Sequence, residues 1–395
     1  MNVKGRSHPG GRFDVAALDY ELPQDLIAQH PPSNREDARL LAVDSQSPLS
    51  ASSASASPGQ VGDCVPSPAE GGQGAAFRDL QITDLPQLLR PGDLLVLNDT
   101  KVLPARFNAR RLTGGLIGGL FVREEQPGLW RVMLKNAGRL REGERLIIQA
   151  ADGADFEVRT VANLGEGHWH VKVDVKGTAE GLLERIGHTP LPPYIRRDAE
   201  LTAQFDGEDR IRYQTVYARE FGAVAAPTAG MHLTQVLLQA IRGRGVEIAF
   251  VTLHVGIGTF RPIAADRLQD HRMHQERYEL SAETAGAVER CRERGGNVVA
   301  VGTTSVRVLE STADPSRPGL VEPASGSTDI FIYPPYRFRV VDRLLTNFHL
   351  PRSTLLALVM AFAGVDLIRR AYSHAIEERY RFYSYGDAMY LTRAE

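Results

Sequence analysis

The chain has only two cysteines among its 395 residues, Cys64 and Cys291. That excludes a disulfide framework, a four-cysteine zinc site and an iron–sulfur cluster held by four cysteines. Long apolar runs are also missing. The longest, Leu355–Val365, falls far short of the roughly 20 residues that a membrane-spanning helix needs. The N-terminus, MNVKGRSHPGGRF, has no apolar h-region, so no secretory signal is expected and a cytoplasmic location is the default. The formal net charge of −2 supplies no global field for nucleic acid, so any RNA contact must come from local clusters. The sequence contains no GxGxxG fingerprint, no P-loop and no HExxH zinc motif.

Hydrophobic residues make up 43% and charged residues 24%, as in an ordinary soluble globular protein. The length allows two or three domains. Residues 1–12 read as a loose tail. Ser45–Ala76 is mostly Ser, Ala, Gly and Pro, a composition that cannot offset its ordering entropy, so a disordered insertion is expected. From 102 to 187 short alternating runs such as LWRVMLK and HWHVKVDV are separated by turn signals, which predicts a small antiparallel β-barrel. The rest alternates helix and strand patterns. The expected fold is α/β: a mixed, mostly parallel sheet domain (13–101 and 188–395) carrying the inserted barrel (102–187).

Four short polar loops recur in the second half, each between an apolar run and a helix pattern. They are AAPTAGMHL (Ala225–Leu233), TLHVGIGTF (Thr252–Phe260), AVGTTSVR (Ala300–Arg307) and TNFHLPRST (Thr346–Thr354). Ligands of open α/β sheets bind at such strand ends. His254 ends a strongly apolar strand, and Gly256 and Gly258 leave room for a ligand to approach the backbone. The alternative for His254 is a buried structural histidine with turn glycines. His232 lies near a helix start, where an exposed capping histidine is the equal alternative, and His349 follows a strand, where a site role and a merely structural one stand level. In AVGTTSVR, Gly302 and Thr303 lead into a helix start, with Thr304 or Ser305 as its N-cap. Backbone N–H groups there attract an anion, and Arg307 is placed in the first turn, where it suits a ligand carboxylate. The plain alternative is a capped helix with a surface arginine.

His271 and His274 lie near Glu276, but no third metal ligand is evident, and a loop covering the pocket is the preferred reading. No metal site is expected. Two segments interleave arginine with aromatics: one holds Arg337 and Arg339, the other Arg379, Tyr380, Arg381, Phe382, Tyr383 and Tyr385. Guanidiniums would hold phosphates while rings stack on unpaired bases; an ordinary helix face is the alternative.

Longer strings point further. DLIAQHPPSNREDARLL, GDLLVLNDTKVLPAR, IGHTPLPPYI, RYQTVYARE, GAVAAPTAGMH, FVTLHVGIGTFRPI, VGTTSVRVLES, the stretch from Asp329 to Gly364 and EERYRFYSYGDAMYL follow one another over nearly the whole chain. In them the chain resembles the S-adenosylmethionine:tRNA ribosyltransferase-isomerase (QueA) family of queuosine biosynthesis. The resemblance implies an α/β domain with an inserted β-barrel. It also implies that S-adenosylmethionine is a substrate rather than a cofactor, and that no further cofactor is required. Its ribosyl part, not its methyl, passes to 7-aminomethyl-7-deazaguanine (preQ1) at the wobble position of tRNA. Isomerisation then gives epoxyqueuosine tRNA, and adenine and methionine leave.

Such chemistry needs a base for the C5′ proton that the sulfonium acidifies, an acid for adenine, and a neutral attacking amine. His254 is the first candidate, then His232 and His349, with Asp99 orienting one of them. Thr228, Gly230, Gly256, Gly258, Gly302, Thr303, Thr304, Ser305 and Arg307 are the candidates for holding S-adenosylmethionine. A monomer is expected, with no membrane partner. A conventional methyltransferase would release S-adenosylhomocysteine instead, and a passive tRNA-binding module would show no turnover. The sequence departs from the family pattern in its extended tail, in the insertion, and in the barrel stretch GGLIGGLFV (Gly114–Val122), which lacks the usual lysine and glutamate.

Overall fold

The computed structural model describes residues 13–46, 76–150, 153–174, 177–197, 199–256 and 263–395, without the side chains at 199, 200, 202 and 203. The tail, residues 47–75 of the insertion and Gly258 therefore lie outside the described residues. Before the barrel come β1 (Arg39–Val43), β2 (Phe77–Gln81), the short helix α1 (Leu85–Leu88), β3 (Leu94–Asn98) and β4 (Thr100–Val102). The barrel strands are β5 (Arg106–Arg111), β6 (Leu116–Gln126), β7 (Leu129–Lys135), β8 (Arg145–Gln149), β9 (Asp155–Gly165) and β10 (His168–Val173). Helices α2 (Ala179–Ile186) and α3 (Ala199–Arg212) lead back to β11 (Glu220–Ala223). Next come α4 (Gln235–Gly243), β12 (Glu247–Leu253), β13 (Glu276–Leu280), α5 (Ala282–Glu293), β14 (Val298–Val301) and α6 (Gly302–Ser311). The chain closes with β15 (Ala324–Thr328), β16 (Arg343–Asn347), α7 (Thr354–Ala363), α8 (Val365–Glu377) and β17 (Ala388–Thr392).

The main sheet has the order β15-β13-β12-β3-β14-β16-β17-β1-β2. Its centre, β12-β3-β14-β16, is parallel, because each strand there is reached through a helical crossover. Antiparallel strands flank that centre, β13 on one side and β17 on the other. The sheet is thus the mixed one that the sequence pattern suggests. Its central strands β3 and β14 are buried along their whole length because both faces are covered. Leu94 and Val96 pack with α5, α6, α7 and α8, whereas Leu95 and Leu97 pack with α1 and α4. Burying each such leucine contributes about 1.5–3 kcal/mol.

The barrel closes in the order β10-β7-β6-β5-β8-β9. Trp130 and Phe121 meet edge to face at 5.0 Å in its core, and Leu182, Leu183 and Ile186 of α2 pack into the same cluster. Within the departing stretch, Gly119 has a packing reason: a Cβ there would lie 2.2 Å from the Phe107 ring. Parallel pairing of β4 with β11 ties the barrel's entry to its exit. That pairing delivers Thr100 and Glu220 together to the C-terminal edge of the central strands.

Candidate active site at the carboxyl edge of the sheet

The carboxyl ends of β12, β3, β14 and β16 lie side by side, so the loops that follow them share one edge. Asn98 opens this edge. Its side chain replaces the lost ladder bonds, donating to Leu253 O at 3.1 Å and accepting from Leu253 N at 3.0 Å and Thr100 N at 3.2 Å. β12 then runs on to His254, whose Nδ1 lies 2.8 Å from Thr100 Oγ1. The Thr100 hydroxyl donates to Glu220 O at 3.4 Å. Nδ1 is therefore the donor to Thr100, and Nε2 keeps its lone pair. Gly222, at φ +148, closes against this ring; a Cβ there would sit 2.8 Å from Nδ1. His254 is half-buried. Burial first, then the charge of Arg277, holds its pKa below the ordinary 6.5, against the weaker opposite pulls of Glu220 and Asp99. It is a neutral imidazole at neutral pH whose Nε2 has no hydrogen-bond partner among the described residues, as a general base requires.

Among the described residues Asp99 hydrogen-bonds no histidine. Its carboxylate accepts from Thr252 Oγ1 at 2.7 Å and from Arg219 Nη2 at 2.8 Å. It braces the end of β12 one turn of the pleat before His254.

His232 and His349 differ from His254 in kind. Asn347 Nδ2 faces the carbonyls of Tyr383 at 3.2 Å and Asp387 at 3.5 Å, while its Oδ1 accepts from Thr228 Oγ1 at 3.0 Å. That fixes the amide orientation, so Nδ2 donates to His232 Nε2 at 3.1 Å and the imidazole proton sits on Nδ1. Burial pushes the His232 pKa down to about 4 and that of His349 down to about 3. His349 Nε2 is bound to Thr346 Oγ1 at 2.9 Å. Its backbone is held at both ends, N by Tyr372 at 2.8 Å and O by Tyr20 at 2.5 Å. Both rings are neutral parts of the loop scaffold.

On the other side of His254, Gly256 N donates to Glu276 Oε1 at 2.8 Å, and Glu276 Oε2 accepts from Arg307 Nη1. Both side chains of this pair are only 5% exposed. Arg307 Nε and Nη2, with Thr304 Oγ1, are buried without a hydrogen-bond partner among the described residues. Leaving such donors unmade costs about 1–3 kcal/mol each, so the cluster is poised for an acceptor. Helix α6 starts earlier than the sequence reading has it. Val301 is its N-cap and Gly302, at φ +84, is its first residue. Thr304 and Ser305 are therefore inside the helix, and Ser305 Oγ donates back to Val301 O at 2.8 Å. Arg307 lies beyond the first turn. Thr303 is buried beside them. Glu276, read from sequence only as a neighbour of possible metal ligands, is instead the partner of Arg307. His271 packs edge-on against Phe331, and no cluster of three metal-ligating side chains occurs among the described residues.

Gly230 is small for another reason than ligand access. A Cβ there would fall 2.0 Å from Tyr217 Oη. Its turn, Thr228–His232, is held by Arg35, which donates to Met231 O at 2.8 Å.

Comparison with known proteins decides the family. Residues 69–391 match the family described as Queuosine biosynthesis protein. The chain belongs to that family. It is 47% identical over 382 residues to the S-adenosylmethionine:tRNA ribosyltransferase-isomerase of Acidiphilium cryptum, covering 97% of this chain and 100% of the relative. The protein of the same name from Trichlorobacter lovleyi is 45% identical over 377 residues, covering 95% and 99%. The crystal structure of S-adenosylmethionine tRNA ribosyltransferase from Thermotoga maritima shares the fold with a TM-score of 0.50 and 32% identity, covering 95% of this chain and 99% of that one. The family expected from the sequence strings, and the fold that it implies, are both borne out.

The queuosine-family chain does not present its aromatic segment to solvent. Tyr380, Phe382, Tyr383 and Tyr385 are buried. Phe382 packs 4.9 Å from Phe348, and the Tyr380 and Tyr385 hydroxyls donate to Asp79 at 2.6 Å and Asp209 at 3.0 Å. These rings belong to the core and offer no stacking platform there. Arg381 pairs with Asp387 at 3.1 Å and exposed Arg379 with Asp25 at 2.6 Å. Arg337 and Arg339 are exposed, but they precede β16 and so lie at the opposite edge of the sheet, roughly 17 Å away along a five-residue strand. Glu310 holds that loop by accepting from the backbone N–H groups of Arg339, Val340 and Val341 at 2.9, 3.0 and 3.1 Å. Sequence reasoning missed Thr100, Gly222, Glu220 and Asn347. The NDT string at the end of an apolar strand is the signal for the first of them.

Proposed function

We infer that this chain carries out the reaction for which its relatives are named. It transfers the ribosyl part of S-adenosylmethionine to preQ1 at the wobble position of tRNA and isomerises it, giving epoxyqueuosine tRNA with release of adenine and methionine. The observation that carries the substrate's placement is the buried Arg307, whose Nε and Nη2 lack partners among the described residues. A planar guanidinium with two free donors matches the α-carboxylate of S-adenosylmethionine. Glu276, beside it, suits the α-ammonium, so the pair reads the zwitterion as a whole. Gly256 N–H and Thr304 Oγ1 complete that end of the pocket.

His254 then stands within two residues of the Gly256–Glu276 contact, along an extended segment. The lone pair on its Nε2 takes the C5′ proton, which the adjacent sulfonium acidifies, so the carbanion forms next to the charge that stabilises it. Thr100 holds the tautomer through this step. His232 and His349 keep the loops after β11 and β16 in place without changing charge. In this scheme the sulfonium supplies the activation, and neither a metal nor a nicotinamide is needed. Incubating the protein with preQ1-containing tRNA and S-adenosylmethionine in the presence of a chelator tests the reading. Adenine, methionine and a ribosyl-derived mass gain on the tRNA are expected; S-adenosylhomocysteine would overturn it.

A further inference from the structure

Glu220 stands beside His254 with its carboxylate uncommitted, and no step of the proposed reaction uses it. It opens β11 opposite Thr100 in a parallel pair. Registered residues of neighbouring strands put their side chains on the same face, so Glu220 shares with Thr100 the side that meets His254. The contacts agree. The Glu220 carbonyl accepts from Thr100 Oγ1, and the Glu220 carboxylate is close enough for its charge to act on the imidazole.

Asp99 and Glu276 nearby are both committed. Asp99 accepts from Arg219 and Thr252, and Glu276 accepts from Arg307 and Gly256 N. The Glu220 carboxylate is exposed and has no hydrogen bond or ion pair among the described residues. A free carboxylate is ordinary on a protein surface, but this one sits at an edge that a polyanion must approach for the reaction inferred above. An unpaired anion there repels phosphate. The 7-aminomethyl group of preQ1 reverses the sign, because an alkylamine is protonated at neutral pH.

We propose that Glu220 recognises the acceptor's aminomethyl group, taking it as an ammonium on arrival and then accepting a hydrogen bond from the neutral amine that attacks. The proposal rests on the reading that preQ1-containing tRNA is the acceptor. Glu220 is exposed, so the ammonium can give its proton to water before attack. Arg307 and Glu276 lie on the other side of His254. The amine and the amino-acid end of S-adenosylmethionine therefore reach the imidazole from different sides, each met by its own carboxylate.

Two anticodon stem-loops that differ only in the wobble base, preQ1 or guanine, serve as probes, with calorimetry for S-adenosylmethionine. Wild-type protein should bind the preQ1 loop about tenfold more tightly, the low end for a hydrogen bond to a charged group. Glu220→Gln, an exposed and nearly isosteric change, should bring the two affinities within about twofold of each other and leave S-adenosylmethionine affinity as it was. Glu220→Asp keeps the charge and should retain part of the preference. Glu220→Gln also removes a charge that raises the His254 pKa, alongside Asp99 and against Arg277, so the acid limb of activity should move to lower pH. That movement with the preference for preQ1 intact would confine Glu220 to the surroundings of His254 and overturn the proposal. So would wild-type protein that binds both loops alike, or Glu220→Gln protein that loses S-adenosylmethionine and keeps the preference. Failure of the reaction itself has a different signature: wild-type protein that prefers the preQ1 loop yet releases no adenine.

Discussion

His254 Nδ1 and Thr100 Oγ1 meet at 2.8 Å, and that contact decides which nitrogen of the imidazole faces outward. Replacing His254 by Gln should lower kcat by about 10²–10⁴-fold, the usual worth of a positioned base, with little change in S-adenosylmethionine affinity. Activity should be lost as pH falls through the folded pKa of His254, which burial and Arg277 hold below 6.5. Arg277→Ala removes the cation that disfavours imidazolium, so the acid limb should move to higher pH. An acid limb that stays in place would detach the pH dependence from His254.

Arg307 should be probed with lysine rather than alanine. Arg307→Ala strands the Glu276 carboxylate in the interior, which costs about 3–5 kcal/mol of stability and confuses binding with folding. Arg307→Lys keeps the charge and loses the fork. S-adenosylmethionine binding should weaken by about 1.5–3 kcal/mol with thermal stability near wild type. Calorimetry showing an unchanged Kd would move the amino-acid end of the substrate elsewhere.

The buried histidines make a claim about stability. His232 and His349 have folded pKa values of about 4 and about 3, below the ordinary value of 6.5. Between these limits the unfolded chain binds protons that the folded chain excludes. Stability should therefore fall as pH drops from about 6.5 towards 4. Denaturant titrations of His349→Gln should show a pH slope shallower by about one proton. Identical slopes would mean that the imidazole is not buried in its neutral form.

The Ser/Ala-rich insertion joins two strands that are already paired. Val43 faces Phe77, and Asp44 N donates to Ala76 O at 3.0 Å, so the ends of the insertion are neighbours. Loop closure depends only weakly on length, about 0.6 kcal/mol per doubling. Replacing residues 47–75 by a short turn should leave melting temperature and turnover nearly unchanged. A large loss of either would give the segment a role.

The edge that carries the chemistry was legible because each loop announces itself, an apolar strand giving way to small residues, Thr and His. Partners across strands were not. Glu276 sits in a polar-looking string, ERYEL, and only the pairing of β13 with β12 brings it to Gly256 and Arg307. The aromatic segment misled for a compositional reason. Arginines alternating with rings describe an RNA platform and equally a buried strand entry whose cations are paired, here by Asp25 and Asp387. Arg337 and Arg339 were misplaced because strand direction is set by pairing. Once β16 runs parallel to β14, the residues before it lie at the wrong end of the sheet.

The most direct test of the whole account is the fate of S-adenosylmethionine in one reaction with preQ1-containing tRNA, with metals chelated. Adenine and methionine should appear in equal amounts with ribosyl-modified tRNA, and His254→Gln should slow the appearance of all three together by about 10²–10⁴-fold. S-adenosylhomocysteine as the main product, or full turnover in the His254 variant, would contradict it.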